Sequence, residues 1–180
     1  GTTVAISLPF WAKDGGPERT MAALTDPGDR HKMKKEMNAR PDIQTFWNQN
    51  WLHNFLQPQN KKYDGKTISA IAEMREQDQA DALFDLLVED RLGISEVGTG
   101  TNAQTLPAFV SHPYGMIASD SILFGEYPNP RTYGCFPVVL AEFVRAEKHL
   151  KLPEAIRKMT SFPAQRLGLS DRGVLRDGFK

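Results

Sequence analysis

The residues able to hold a metal or move a proton are few and scattered. His31, His53, His112 and His149 lie far apart, and no His-x-His or His-Glu-x-x-His pairing puts two of them on one strand or one helix face. Cys135 is the sole cysteine, which removes Cys-x-x-Cys zinc or redox pairs and any disulfide within these residues. At the start of an apolar helix, its thiol reads as a small packed side chain rather than a nucleophile. Neither a Gly-x-Ser-x-Gly elbow, nor a phosphate-binding loop, nor a dinucleotide fingerprint occurs, so serine-hydrolase and nucleotide-binding chemistries lack their motifs. One carboxylate stands out. The run Gly115-Met116-Ile117-Ala118-Ser119-Asp120 is apolar and stops abruptly at a hydroxyl and an acid. A buried parallel strand looks like this where it surfaces at its carboxyl end, which in α/β barrels is where the chemistry sits. Asp120 is thus the candidate catalytic residue, a turn or helix cap being the alternative. His112, just upstream, is the histidine best placed to join it.

The surrounding pattern must position that carboxylate. Thr3 to Leu8 is short and β-branched and reads as a strand running into a loop through Asp14-Gly15-Gly16-Pro17. Asp26 before Pro27 predicts a capped helix reaching about Arg40, with a basic run Arg30-His31-Lys32-Met33-Lys34-Lys35 read as a solvated face. The cluster Trp47, Trp51, Leu52, Phe55 and Leu56 is strand or helix, with a strand favoured near Leu52 to Leu56. Two successive helices are expected from Thr67 and from Asp78, the second with an apolar stripe through Ala82, Leu83, Leu86 and Leu87. Its acids Asp81, Asp85, Glu89 and Asp90 read as a wet face rather than a metal site, since no histidine lies among them. Ile94 to Thr101 predicts a strand and a loop, and Asn102 a cap for a helix through Val110. After the proline-rich loop Tyr127 to Arg131, helices are expected through Phe136 to Val144, from Leu152 to about Thr160, and from Phe162 to Gly168. Strand, loop and helix recur in that order, which favours a parallel α/β sheet or barrel.

Composition narrows the partners. The 22 Lys+Arg balance the 22 Asp+Glu, removing a whole-chain electrostatic case for nucleic acid or a membrane surface. With 40% hydrophobic residues and no run near the ~18 apolar residues of a membrane span, an ordinary globular chain is expected. A lone cysteine and the absence of a basic, apolar leader point to a reducing, cytoplasmic compartment. The opening Gly1-Thr2-Thr3 has no initiator Met, and Gly173 to Lys180 reads as a turn heading for a strand, so further sequence is expected at both ends.

Longer motifs carry a family signal. Leu8-Pro9-Phe10-Trp11 with Gly15-Gly16, and Asp64-Gly65-Lys66-Thr67-Ile68, lead to the most specific element, His112-Pro113-Tyr114-Gly115-Met116-Ile117-Ala118-Ser119-Asp120 followed by Asn129-Pro130-Arg131-Thr132-Tyr133-Gly134-Cys135-Phe136-Pro137. With Ala155-Ile156-Arg157-Lys158-Met159-Thr160-Ser161-Phe162-Pro163-Ala164, the chain resembles the C-terminal part of the D-aminoacylase (N-acyl-D-amino-acid deacylase) branch of the amidohydrolase superfamily. The resemblance implies an α/β fold: an incomplete, metal-dependent TIM-type barrel over residues 1–170, and the return to a small β-sandwich domain over residues 171–180. It implies hydrolysis of the amide of an N-acyl-D-amino acid with zinc as cofactor, Asp120 being both metal-facing carboxylate and general base. Thr2 takes the place of a serine that holds the substrate carboxylate. The other metal ligands are expected upstream, in a missing N-terminal part of the same protein, so that these residues alone are expected to be inactive. Asn129, Ser121 and Val138 depart from the family's usual His, Gly and Arg. The alternatives are a non-catalytic remnant of the barrel and a related cyclic-amide hydrolase.

Overall fold

The computed structural model describes residues 2–98, 104–121, 123 and 128–180, with the backbone only at Thr2. Asn102, expected as a helix cap, lies outside the described residues, as does the side chain of Thr2. The described chain falls into two compact units, residues 2–98 and residues 104–121, 123 and 128–180.

The first unit packs helices on a small sheet. Its elements are β1 (Thr2–Thr3), a 3-10 turn (Val4–Ser7), α1 (Phe10–Lys13), α2 (Gly16–Thr25), α3 (Pro27–Asn38), α4 (Ile43–Gln49), β2 (Asn50–His53), a second 3-10 segment (Pro58–Tyr63), β3 (Lys66–Thr67), α5 (Ile68–Arg75), α6 (Gln79–Glu89) and β4 (Ser95–Gly98). Helix starts follow the capping residues. Asp26 accepts from the Asp29 N–H at 2.8 Å with Pro27 at the first helical position, Thr67 accepts from Ala70 N–H at 3.2 Å, and Asp78 accepts from Ala80 N–H at 3.0 Å. Leu83, Phe84, Leu86 and Leu87 of α6 are fully buried with Leu24, Met33, Trp47, Leu52 and Ile71, each large side chain contributing about 2 kcal/mol through the apolar surface it removes from water.

Three expectations change here. Residues 4–7 form a 3-10 turn instead of continuing a strand, because the Thr3 hydroxyl accepts from the Ala5 N–H and closes the backbone early. The strand near Leu52 begins sooner and ends at His53, where Asn54 turns into the left-handed region at φ 62°. The sheet is antiparallel throughout, in the order β1-β4-β2-β3, with Leu52 opposite both Glu96 and Lys66. A parallel sheet needs one crossover helix between strands. Two helices lie between β3 and β4, and only a loop and a 3-10 segment join β2 to β3, so that alternation is broken.

His31, Lys32 and Lys35 of the basic run face solvent as expected, whereas Arg30 and Lys34, partly exposed, also pair with acids at and on α6. Arg30 of α3 binds Asp85 at 2.7 Å and Asp81 at 3.4 Å, while Lys34 binds Asp81 at 2.7 Å and Asp78 at 3.1 Å. The hydrogen bond to Asp81 raises the pKa of Lys34 above its ordinary value. Asp90, wholly buried, accepts from the N–H groups of Leu56 and Gln57 at 2.5 and 2.8 Å and from Asn60 Nδ2 at 2.5 Å, tying the loop after β2 to the end of α6.

The second unit contains α7 (Leu106–Ser111), α8 (Arg131–Val138), a π-helical continuation (Val139–Ala146), α9 (Leu152–Met159) and α10 (Ser161–Arg166). Pro137 inside α8 has no N–H to give and crowds the preceding turn, which accounts for the wider hydrogen-bond spacing that follows it. Val139, Leu150 and Ala155 form its core, with Val110, Ile117, Leu140, Val144 and Met159 packed around them. Residues 171–180 make turns, closed by Lys180 N–H to the Asp171 carbonyl at 2.8 Å. Gly173 packs so close to α10 that a Cβ there would sit 2.8 Å from the Ala164 side chain.

Candidate functional site

The segment bearing Asp120 has no regular secondary structure and pairs with no strand among the described residues, which corrects the expected buried parallel strand. Of its apolar residues only Ile117 packs into the second core, and Met116 is exposed, so the apolar run lacks the two covered faces a buried strand requires. The segment is held instead by contacts from two helices, α9 and α8. Ile117 N–H donates to the Lys158 carbonyl at 3.1 Å, Cys135 Sγ lies 3.6 Å from the Ala118 carbonyl, and Arg131 Nε donates to the Asp120 carbonyl at 3.0 Å. Arg131 Nη2 also meets Asp120 Oδ2 at 2.9 Å.

Asp120 itself sits at φ 46°, in the left-handed region that aspartate tolerates better than most side chains. Its side chain is 84% exposed, so the described residues build no enclosing rim around it. Arg131 and Cys135 lie four residues apart on α8 and reach the same segment from one helix face. Cys135 is therefore a contact for the Asp120 segment as well as a packed residue. Arg131 was not legible as a site residue, although its spacing from Cys135 carries that signal. Asn129 has a local use: its Oδ1 accepts from Arg131 N–H at 3.1 Å and steadies the start of α8. The Ser119 hydroxyl lies 3.2 Å from that of Ser121, and Val138 is exposed.

His112 ends α7. Its Nδ1 accepts from the Tyr114 N–H at 3.3 Å, which commits that nitrogen to a local turn, and its ring lies 5.8 Å from the Tyr114 ring. His53 is half-buried at the end of β2, where burial lowers its pKa, and His149 Nε2 lies 3.1 Å from Glu147 Oε2. Among the described residues no three His, Cys, Asp or Glu side chains come together as a metal site. The donors present therefore do not fit a zinc ion by themselves, because such a site takes about three or four protein ligands.

Thr2 lies in the first unit and Asp120 in the second. The Thr2 backbone pairs with Glu96, a residue the sequence did not mark. Burial pushes the Glu96 carboxyl up to about 7, against the opposing effects of the Ser7 hydroxyl, 3.5 Å from Oε1, and the positive Arg40. Its Oε2 is shut off from solvent with no hydrogen-bond partner among the described residues.

Comparison with known proteins bears on this arrangement. No protein-family model matches the chain. It is 44% identical over 69 residues to an N-acyl-D-aspartate deacylase, 42% identical over 67 residues to an N-acyl-D-glutamate deacylase and 42% identical over 64 residues to a D-aminoacylase, all from Alcaligenes xylosoxydans xylosoxydans. These matches take in 38%, 37% and 36% of this chain but only 14%, 14% and 13% of those proteins. Among solved structures, the N-acyl-D-glutamate deacylase of Bordetella bronchiseptica, complexed with zinc and a phosphonate inhibitor, superposes with a TM-score of 0.62 at 23% identity, covering 75% of this chain and 27% of that one. A D-aminoacylase structure gives the same figures. About 75% of the chain thus shares the fold of about a quarter of those structures, and the resemblance read from the motifs is met by sequence similarity to N-acyl-D-amino-acid deacylases over 36% to 38% of the chain.

Proposed function

We propose that this chain is the C-terminal part of a zinc-dependent amidohydrolase that cleaves the amide of N-acyl-D-amino acids. The observation that carries the reading is the 44% identity over 69 residues to an N-acyl-D-aspartate deacylase, supported by the shared fold. Residues 1–170 would complete a barrel whose other strands come from upstream sequence, and residues 171–180 would lead back to a small β domain. Asp120 is the general base: its carboxylate takes a proton from the attacking water and returns it to the leaving amine. It is also the single residue here proposed to face zinc, and Thr2 is proposed to hold the substrate carboxylate. Because one carboxylate cannot make a zinc site, these 180 residues alone are inactive.

The test is zinc content and hydrolysis of N-acyl-D-amino acids by the 180-residue chain beside a chain extended upstream. Zinc and activity in the longer chain alone support the reading, and tight stoichiometric zinc in the shorter one overturns the proposed division of ligands. A second reading, a non-catalytic remnant, draws on one observation: Asp120 is exposed and ion-paired with Arg131. An upstream sequence without His-x-His at the end of a strand would favour it.

A further inference from the structure

Lys158 is a charged side chain where an apolar one would pack. It lies on α9, in the second unit, and is 0% exposed. Its ammonium donates to the Gly115 carbonyl at 2.9 Å and to the His112 carbonyl. Among the described residues, the carboxylate ion-paired with it is Glu154, 4.0 Å away on the same helix. Desolvation holds its pKa below the ordinary lysine range. If the slot needed only filling, a methionine would do so without that desolvation cost. What an ammonium does, and a methyl group cannot, is gather two carbonyls from one turn.

That turn leads directly into the Asp120 segment. The α9 backbone holds the segment again through Ile117 N–H to the Lys158 carbonyl, and the neighbouring Arg157 donates to the Pro113 carbonyl at 3.2 Å. Gly115 completes the fit from the other side: a Cβ there would lie 2.9 Å from the Phe109 carbonyl, 3.2 Å from the His112 carbonyl and 3.7 Å from Lys158 Nζ. Since no sheet ladder holds this segment among the described residues, its path depends on these bonds and on Arg131 and Cys135.

We infer that Lys158 is a positioning residue for hydrolysis: its buried ammonium latches the His112 to Gly115 turn onto α9 and so sets where the Asp120 carboxylate stands. The inference rests on the reading of Asp120 as the base. Lys158 touches no reacting atom, so its loss should move the base without removing a substrate contact.

The test compares Lys158→Met and Gly115→Ala with the wild type in the full-length protein. The first removes the donors and keeps the volume, and the second forces the turn off the ammonium while leaving the lysine in place. Two readouts are taken, amide hydrogen exchange by mass spectrometry over residues 112–121 and the separate kcat and KM for an N-acyl-D-amino acid. Expected for both variants are exchange faster by about tenfold with α6 unchanged, kcat lower by about 10- to 100-fold, and KM within about threefold. Unchanged exchange overturns the latch. Faster exchange with wild-type kcat, or a loss confined to KM, overturns the positioning role. A wild type that hydrolyses no N-acyl-D-amino acid removes the catalytic role from Asp120 and Lys158 together, before any substitution is made. Wild-type activity with Lys158→Met at full kcat removes it from Lys158 alone.

Discussion

Replacing Glu96 with glutamine should make the protein more stable at pH 8 and leave it nearly unchanged at pH 4. Glu96 is partly enclosed between β1, β2 and the Ser7 turn, and burial raises its carboxyl from the ordinary 4.5 to about 7. Between those values the folded chain keeps a proton that the unfolded chain has released. Stability therefore falls as pH rises from about 4.5 and stays reduced above about 7. In a fully enclosed site a displacement of that size corresponds to about 3 kcal/mol. Solvent reaching part of the carboxyl group reduces this to about 1 to 2 kcal/mol. The glutamine side chain does not titrate, so the wild type and Glu96→Gln should converge below pH 4.5 and diverge by that amount above pH 7. Urea unfolding at half-unit pH steps measures the difference while the other carboxylates cancel. Parallel pH profiles for the two proteins would refute the argument.

Asp90→Ala leaves the Leu56 and Gln57 N–H groups without their acceptor and takes from the Asn60 amide one of its two carboxylate partners, Glu89 Oε2 at 2.9 Å remaining. It should cost about 3 kcal/mol or more in urea unfolding, and a loss under 1 kcal/mol would contradict its structural weight. A double-mutant cycle on Arg30→Met and Asp85→Asn should give a coupling of about 0.5 to 1 kcal/mol that shrinks in 1 M salt, whereas zero coupling at low salt would show that the 2.7 Å pair contributes nothing.

Local signals in the sequence were enough for most helices and too weak for the sheet and the site. Asp26-Pro27, Thr67 and Asp78 announce α3, α5 and α6 because capping is chemistry between neighbours in the chain. Helices α9 and α10 are equally legible from Leu152-Pro153 and Phe162-Pro163. Strands of two to four residues carry almost no periodicity, and their partners are chosen by distant contacts, which is why the antiparallel order was not readable. The basic run on α3 and the acidic run on α6 each look solvated when taken alone. Their pairing, Arg30 with Asp85 and Lys34 with Asp81, exists only once the helices are side by side. Glu96 and Lys158 follow the same logic, since burial of a charge is a property of the folded chain. Asp120 was legible as the place where an apolar run ends, but the arginine holding it was not.

In the proposed function Asp120 serves as the base of an amide-cleaving enzyme. The most direct measurement is the kcat for N-acyl-D-amino acids of the full-length protein beside its Asp120→Asn variant, with zinc content measured on both. Hydrolysis by the wild type and a loss of about a hundredfold or more in the variant are expected. Wild-type kcat in Asp120→Asn, or no hydrolysis by a zinc-loaded wild type, would contradict the proposal.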